Sequence, residues 1–393
     1  MGERTVTSGG EVLRELLAEG VSPWLDGLRR PLLASGALAR LVAAGEVRGA
    51  TSDPGALAAE VAGGTAYGQQ LAHLACRSVP PTTAVQALCA YDLRAACDEL
   101  RPVFAATRGL DGHVSMGPDP WLAGGARVTA DAFADAAAAL HRAACRPNAL
   151  VKIPATDEGL AATGACLARG IGVHVTGIFS VRRYEQVVDV WFAGLERARA
   201  AGLDLSAIPS LASLPVARID AEVDARLRAR GAGRAGGAAA PGGPGIPGVR
   251  GAAALAVARL VYRRYEEGLG SARWRVLAAA GARPQRVMWS VGSPVETEPR
   301  GVPYVESLVA WGTVSAMSGT TLAAAGRHGR LRGDTLTGQE GAARAAVLRF
   351  EAAGVSFDEV AGALESESAV RAGRAWGALR GAVADRLRGG SGG

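Results

Sequence analysis

Residues 149–179, ALVKIPATDEGLAATGACLARGIGVHVTGIF, contain a strand, a helix and a second strand in succession. The segments 149–155 and 171–179 are short and rich in β-branched and apolar residues, a composition typical of buried strands. Residues 158–169 between them are rich in alanine and leucine, which favours a helix of about three turns. A strand, a crossover helix and a second strand form the repeating unit of a parallel sheet, so this stretch predicts an α/β fold.

The same alternation of strand and helix continues along the chain. Candidate strands lie at 22–28, 47–53, 112–119, 149–155, 171–179, 207–214, 286–292 and 313–317. Candidate helices lie at 56–73, 84–107, 129–145, 158–169, 181–201, 215–230, 251–280, 339–353 and 355–387, the last of which is expected to pack on the barrel. Eight such units predict a (β/α)8 TIM barrel with extra terminal helices.

The whole chain, residues 1–393, is predicted to form a single barrel domain. Its Gly- and Pro-rich stretch at 231–249 cannot form regular structure and is interpreted as a flexible insertion between two helices. The tail at 388–393 is predicted to be disordered.

Composition excludes several classes of protein. No apolar run is long enough for a membrane span, and the N-terminus does not resemble a secretion signal, so a cytoplasmic protein is expected. The five cysteines include no C-x-x-C pair, which indicates reduced thiols and no metal site. The net charge of +6 comes from scattered arginines, so binding to nucleic acid is a weak alternative.

Lys152 is the single lysine among 43 basic residues. The chain has drifted toward the residues of GC-rich codons, and under such drift a lysine that tolerates replacement becomes arginine. Arginine cannot replace a lysine that must lose its proton and attack as an amine. Lys152 also lies in a predicted strand, where burial favours the neutral amine. We therefore predict that Lys152 forms a Schiff base with a carbonyl substrate, which needs no cofactor.

Other polar residues on or beside neighbouring strands could complete such a site. Asp26 is a candidate acid or base, although a surface acid or helix cap fits its position too. Thr176 and His174 are two residues apart on one predicted strand, so their side chains face the same way. Ser213 and Arg218 lie at a strand end and a helix start, where an arginine could hold a phosphate or form a surface ion pair.

These residues lie in segments that resemble the transaldolase family in its longer bacterial form. The resemblance covers nearly the whole chain outside the insertion. It is carried by SPWLDGLRRPLLASGAL (22–38), LVKIPATDEGLAA (150–162), GIGVHVTGIFSVRRYEQVVD (170–189), SLASLPVARIDAEVD (210–224) and LRGDTLTG (331–338).

The resemblance implies transfer of a dihydroxyacetone unit from a ketose phosphate, such as sedoheptulose 7-phosphate or fructose 6-phosphate, to an aldose phosphate in the pentose phosphate pathway. Lys152 matches the Schiff-base lysine, and Asp26 the acid that handles the hydroxyl proton of the donor. Thr176 matches the threonine that helps to hold the catalytic water. Ser213 and Arg218 match residues that bind the substrate and its phosphate.

The chain also departs from the family pattern. A glycine, Gly117, stands where the family has the glutamate that activates water. Two family asparagines are replaced by Asp53 and His174, which are predicted to bind substrate in their place. The segment WSVGSPVETEP (289–299) lacks the expected phosphate-binding cation, and TVSAMS (313–318) is altered.

Two nearby groups are candidates to replace the missing glutamate. Asp119 is two residues from Gly117, and His174 titrates near neutral pH in its ordinary state. The alternatives are a diverged Schiff-base aldolase of specialised metabolism and a catalytically impaired protein with the family fold. The sequence leaves open whether the chain forms a homodimer.

Overall fold

Eight parallel strands close into one barrel in the order β1 to β8, which confirms the predicted TIM barrel. The computed structural model describes residues 10–123, 128–234, 251–292 and 301–389. The strands are β1 (Val21–Leu28), β2 (Gly49–Ser52), β3 (Val114–Met116), β4 (Ala149–Pro154), β5 (Val173–Thr176), β6 (Ser210–Pro215), β7 (Arg286–Ser290) and β8 (Thr313–Met317). Each of the eight predicted strands is present, because each is a short apolar run that becomes buried on both faces.

Helices surround the barrel and follow the strands along the chain. They are α1 (Glu11–Ala18), α2 (Arg30–Ala34), α3 (Ala37–Ala43), α4 (Pro54–Gly63), α5 (Gly68–Cys76), α6 (Pro81–Glu99), α7 (Arg101–Ala106), α8 (Ala130–Ala144), α9 (Asp157–Ala168), α10 (Val181–Ala200), α11 (Val216–Arg234), α12 (Ala252–Gly270), α13 (Ala272–Ala279), α14 (Val302–Ser307), α15 (Gly319–His328), α16 (Glu340–Ala352) and α17 (Phe357–Gly389). Short 3-10 turns occur at Pro120–Ala123 and Leu205–Ala207.

Three helices predicted as single elements are each divided in two. The predicted helix 251–280 ends at Gly270, and α13 begins after Ser271, whose hydroxyl accepts a hydrogen bond from the Trp274 amide at 3.1 Å. A side-chain cap of this kind starts a new helix because it satisfies an amide that has no partner within the helix. The predicted helices 56–73 and 84–107 are also divided, into α4 and α5 and into α6 and α7, but α5 and α7 begin without a side-chain cap.

The middle of the barrel is filled by a large aromatic side chain. Trp24 of β1 is fully buried against residues of β4, β6, β7 and the adjacent strand β8: Leu150, Leu211, Met288, Val314 and Ala316. Gly49, its neighbour in register on β2, makes room for the indole ring. A β-carbon at this position would lie 2.1 Å from the ring of Trp24, so only glycine fits. This packed layer separates the two ends of the barrel.

The amino-terminal end of the barrel is closed by a buried ionic network. The guanidinium of Arg286 donates hydrogen bonds to the Asp111 carboxylate and to the Ser22 hydroxyl, both at 2.8 Å. A cavity of about 170 Å³ lies beside this network. Reactive groups in this fold lie at the carboxyl end of the strands, so we regard the network as a structural element.

The long helix α17 packs against α4, α6 and α11, which agrees with its predicted packing on the barrel. Helix α11 continues to Arg234 and α17 to Gly389, so each runs a little way into a segment predicted to be irregular. The other residues of the predicted insertion, up to 249, and of the tail, 390–393, lie outside the described residues. None of the helices within the described ranges is long and apolar enough to cross a membrane.

Candidate active site

The strand register brings a set of polar side chains to the same side of the barrel wall. Lys152 on β4 pairs with His174 on β5. Thr51 on β2 pairs with Asp26 on one side and with Ser115 on the other. Residues paired in register on adjacent parallel strands face the same way, and these five face the barrel interior together with Trp24.

The amine of Lys152 is held in place by two hydrogen bonds. Its Nζ donates to Thr51 Oγ1 and to the carbonyl oxygen of Ser52, each at 3.0 Å. The side chain is partly buried, above the layer formed by Trp24. An ammonium group has three hydrogens, so one direction from Nζ stays available for a substrate.

Asp26 lies near this amine at the carboxyl end of β1. Burial raises the pKa of Asp26 to about 6, the positive charge of Lys152 opposes the rise, and the nearby Asp53 adds to it. The strand register shifts between Asp26 and Leu28, at the point where Gly27 has a positive φ of 91°. A carboxyl group with a pKa near 6 is suited to transfer protons at neutral pH.

A chain of hydrogen bonds links the amine to a buried histidine. The Ser115 hydroxyl donates to Thr51 Oγ1 at 2.8 Å, and Ser115 Oγ lies 2.7 Å from His174 Nδ1. A serine hydroxyl has one hydrogen, so Nδ1 must donate the second of these bonds. Nε2 of His174 is then an unprotonated acceptor, and within the described residues it has no hydrogen-bond partner.

His174 is neutral in this setting. It is 1% exposed, and burial together with the charge of Lys152 lowers its pKa well below the usual value of 6.5. The hypothesis that His174 acts as an acid near neutral pH is therefore not supported. The Thr51–Ser115–His174 chain instead fixes the position of the amine.

Breaking this chain is expected to destabilise the protein. Ser115→Ala leaves His174 Nδ1 buried without a partner, which should lower the free energy of unfolding by about 1–3 kcal/mol. Ser315→Ala is a matched control, because Ser315 is equally buried and its hydroxyl has no hydrogen-bond partner in the described structure. Urea unfolding of both variants checks this prediction, and equal losses of stability would contradict it.

A lysine beside a carboxyl group, at the carboxyl end of a closed barrel, is the arrangement that the resemblance to the transaldolase family predicts. The family model described as Transaldolase/Fructose-6-phosphate aldolase matches residues 23–383. The chain belongs to this family.

Curated relatives of similar length carry the name of the family. The chain is 46% identical over 378 residues to Transaldolase of Thermobifida fusca, which covers 96% of this chain and 99% of the relative. It is 45% identical over 375 residues to Transaldolase of Acidothermus cellulolyticus, with 95% and 96% covered. It is 44% identical over 385 residues to Transaldolase 1 of Streptomyces avermitilis, with 98% of both chains covered.

The position of the missing transaldolase glutamate has room for a β-carbon. A β-carbon on Gly117 would lie 3.5 Å from the Lys152 carbonyl oxygen and 3.6 Å from the ring of Trp376 on α17, both ordinary contacts. Gly117 also lines a small cavity of about 60 Å³. The absence of the glutamate is therefore not forced by lack of space at Cβ.

Asp119 is engaged elsewhere. Its Oδ2 accepts a hydrogen bond from Arg380 of α17 at 2.5 Å, and its Oδ1 accepts one from the Trp121 amide at 3.0 Å. Strand β3 ends at Met116, so the alternation of side chains does not continue to residue 119. Strand alternation therefore does not support the expectation that the side chain of Asp119 faces the same way as position 117.

Three further residues predicted for the transaldolase site lie at the carboxyl ends of their strands. Thr176 ends β5, beside Pro154 in register, and is partly exposed. Ser213 is fully buried on β6, and its hydroxyl has no hydrogen-bond partner among the described residues. Asp53 caps α4 by accepting a hydrogen bond from the Ala56 amide at 2.9 Å, and it lies close enough to Asp26 to raise its pKa.

The predicted phosphate-binding arginine is held by the C-terminal helix. Arg218, in the first turn of α11, donates from Nη1 to the Ser368 hydroxyl, and its Nη2 lies 3.0 Å from the Glu367 carboxylate. Its guanidinium also stacks on Phe179, 5.1 Å from the ring centroid. Burial and then the charge of Arg371 lower the pKa of Arg218.

Sequence reasoning missed two members of the site, Thr51 and Ser115. Both have residue types that are common in strands, so neither attracted notice alone. Strand alternation could have found them, because Thr51 is two residues before Asp53 and Ser115 is two residues before Gly117.

Proposed function

We propose that this protein is a transaldolase that works through an imine on Lys152. The observation that carries the proposal is the Lys152 amine, held at the carboxyl end of the barrel beside an acid whose pKa is near 6. The donor would be fructose 6-phosphate or sedoheptulose 7-phosphate, and the acceptor an aldose phosphate. The reaction would take place in the cytoplasm.

The first stage forms the imine. Neutral Lys152 attacks the C2 carbonyl of the donor. Its nitrogen gives up one proton, a second proton comes from solvent, and the former carbonyl oxygen leaves with both as water, so that the protonated imine remains. Thr176, partly exposed at the strand end, offers a hydrogen-bonding position for that water or for a donor hydroxyl.

The second stage breaks the carbon–carbon bond. Ionised Asp26 takes the proton of the C4 hydroxyl, the C3–C4 electrons move into the protonated imine, and the aldose leaves with a new carbonyl group. The enamine that remains on Lys152 attacks the aldehyde carbon of the acceptor, whose new hydroxyl takes the proton back from Asp26. Hydrolysis of the new imine then restores the amine.

Borohydride trapping tests the proposal directly. The full chain is incubated with fructose 6-phosphate, reduced, and analysed by intact and peptide mass spectrometry. A dihydroxyacetone-sized adduct on Lys152 is the expected result. A folded protein that gives no adduct with fructose 6-phosphate, sedoheptulose 7-phosphate or dihydroxyacetone would overturn it.

Restoring the family glutamate is expected to accelerate the enzyme. Gly117→Glu introduces a carboxyl group at a position whose β-carbon would lie 3.5 Å from the backbone carbonyl oxygen of Lys152, and general acid–base help is worth about 10²–10⁴-fold where it is fully positioned. Trp376 lies over the position, so we expect at least a tenfold rise in kcat rather than the full range. Gly117→Gln is the control of equal size, and a Glu variant no faster than the Gln variant would contradict the prediction.

The homodimer considered from the sequence stays an expectation. Light scattering of the purified chain at assay concentration would decide it.

A further inference from the structure

The cavity of about 170 Å³ at the amino-terminal end of the barrel lies across the Trp24 layer from Lys152. Leu150 and Leu211 belong to that layer and also line the cavity. A cavity of about 150 Å³ is large enough to hold benzene, so this one has room for a six-membered ring. The packed layer separates its occupant from Lys152, so the occupant cannot be a sugar that reacts with the amine.

The lining of the cavity is mostly apolar and reaches the protein surface. Trp311 and Leu110 line it and are 65% and 52% exposed, so they form its entrance. Leu17, Pro209 and Pro284 add to the apolar lining. Large apolar side chains that stay exposed beside a cavity are typical of ligand sites, and an indole ring packs well on another flat ring. The lining therefore favours a ligand with a ring.

One positive charge beside the cavity is not neutralised. Arg283 lines the cavity and donates from Nε to the Ser206 carbonyl oxygen at 2.8 Å and from Nη2 to the Arg108 carbonyl oxygen at 2.6 Å. In the described part of the chain its Nη1 has no hydrogen-bond partner and no carboxylate forms an ion pair with it. Arg286, in contrast, is paired with Asp111 at 2.8 Å. Arg283 is thus available to bind an anion, and a carboxylate matches a guanidinium well.

Two other polar groups of the lining lack partners among the residues that the structure describes. Tyr265 is only 4% exposed, and its hydroxyl forms no hydrogen bond with them. Oδ1 of Asp111 accepts hydrogen bonds from both Ser22 and Arg286, whereas Oδ2 accepts from neither. Buried polar groups normally have partners, so these two favour an occupant that forms hydrogen bonds. A hydroxyl group suits both of them, because it donates one hydrogen bond and also accepts.

We infer that this cavity is a second ligand site, which binds a small ring carboxylate that carries a hydroxyl group, a class represented by the hydroxybenzoates. The ring fills the apolar space, the carboxylate pairs with Arg283, and the hydroxyl bonds to Asp111 or Tyr265. The inference does not depend on the chemistry of Lys152. Binding at the cavity and borohydride trapping at Lys152 are therefore separate measurements, and failure of one leaves the other standing.

Isothermal titration calorimetry of the full chain with benzoate and the three hydroxybenzoate isomers tests the class of ligand. The isomers differ in the distance between the carboxylate and the hydroxyl. At least one isomer is expected to bind about threefold or more tightly than benzoate, because it gains a hydrogen bond. The corresponding hydroxybenzamide, which is uncharged, should bind about tenfold more weakly than that isomer. No binding of any of the four acids at millimolar concentration would overturn the inference.

Two substitutions test the polar contacts with the isomer that binds most tightly. Arg283→Gln is expected to weaken binding about tenfold or more, and Tyr265→Phe about threefold, because each removes a hydrogen-bonding group from the ligand. Tyr265→Phe leaves no described protein group without a partner, so a loss of binding in this variant reports the ligand contact. Arg275→Gln is the control of equal charge, because Arg275 is exposed on α13 and does not line the cavity. Affinities in Arg283→Gln and Tyr265→Phe equal to that of the Arg275→Gln control would count against the site.

A third substitution tests the space itself. Leu17 is partly buried on α1 and lines the cavity, so Leu17→Trp should fill it and abolish binding of every ring acid. Val276→Trp is the matched control, because Val276 is 51% exposed and lies outside the lining. Thermal unfolding of both variants shows whether they are folded. A folded Leu17→Trp protein that binds as tightly as the Val276→Trp protein would place the ligand elsewhere and overturn the inference.

Discussion

Lys152→Arg is expected to abolish turnover, with a loss on the order of 10⁶-fold, the scale on which removal of a covalent nucleophile acts. Arginine keeps the positive charge and much of the length of the side chain, but it does not lose its proton to become a nucleophile. The chain has no second lysine that could take over the reaction. The steady-state rate with fructose 6-phosphate and an aldose phosphate acceptor is the measurement.

The same variant should give no dihydroxyacetone adduct after borohydride reduction. Peptide mapping distinguishes Lys152 from the α-amino group of the N-terminus, the other amine that could form an imine. Circular dichroism and thermal unfolding of the variant provide the control for folding. A folded Lys152→Arg protein with more than about one hundredth of the wild-type rate would exclude a Lys152 imine, given the expected scale of the loss.

Asp26→Asn is expected to lower kcat by about 10²–10⁴-fold, because it removes the group that takes the hydroxyl proton when the carbon–carbon bond breaks. Imine formation should survive, so dihydroxyacetone, whose capture needs no bond cleavage, should still give an adduct on Lys152. A variant that loses adduct formation and turnover to the same extent would show that Asp26 acts on the imine and not on cleavage. Glu60→Gln provides a control outside the site.

The pH dependence of kcat in the wild-type enzyme should follow the ionisation of Asp26. Cleavage requires the ionised carboxylate, so kcat is expected to rise with pH through about 6, the pKa of Asp26 in the folded protein. The Asn variant should lack this rise. A wild-type profile that is flat between pH 5 and 8 would argue against Asp26 as the base.

Asp26→Asn should also stabilise the fold at neutral pH. The folded-state pKa of about 6 lies above the ordinary value of 3.8, so the folded state binds the proton more tightly and ionisation of Asp26 destabilises it. The free energy of unfolding that is lost through ionisation of Asp26 is close to zero below pH 3.8 and reaches its full value above pH 6. Removing it should raise the free energy of unfolding by up to about 3 kcal/mol at pH 7 and by almost nothing at pH 4.

The barrel could be predicted from sequence because its signal is local. Each strand is a short apolar run followed by a helical pattern, and strands such as 149–154 and 313–317 appear within one residue of their predicted bounds. The divided helices were missed for an equally local reason. Ser271 reads as an ordinary polar residue inside a long helical pattern until its hydroxyl is seen to cap the second helix.

The site could be predicted only in part. Lys152 stands out by its rarity, and Asp26 lies in a segment that resembles the family. The Thr51–Ser115–His174 chain depends on the register of four consecutive strands, β2 to β5, which no single segment encodes. The contact between Arg218 and Ser368 joins residues 150 positions apart, so local sequence patterns cannot predict it.

Because the chain has a single lysine, the side-chain nitrogen of Lys152 can be followed by spectroscopy without any mutation. Protein grown with lysine labelled by ¹⁵N at Nζ would carry a single labelled side-chain nitrogen, that of Lys152. Its resonance would move when the amine loses its proton, and again when the nitrogen becomes an imine. The protonation state and the covalent state of the nitrogen that is proposed to form the imine could thus be followed throughout a reaction in the unmodified chain.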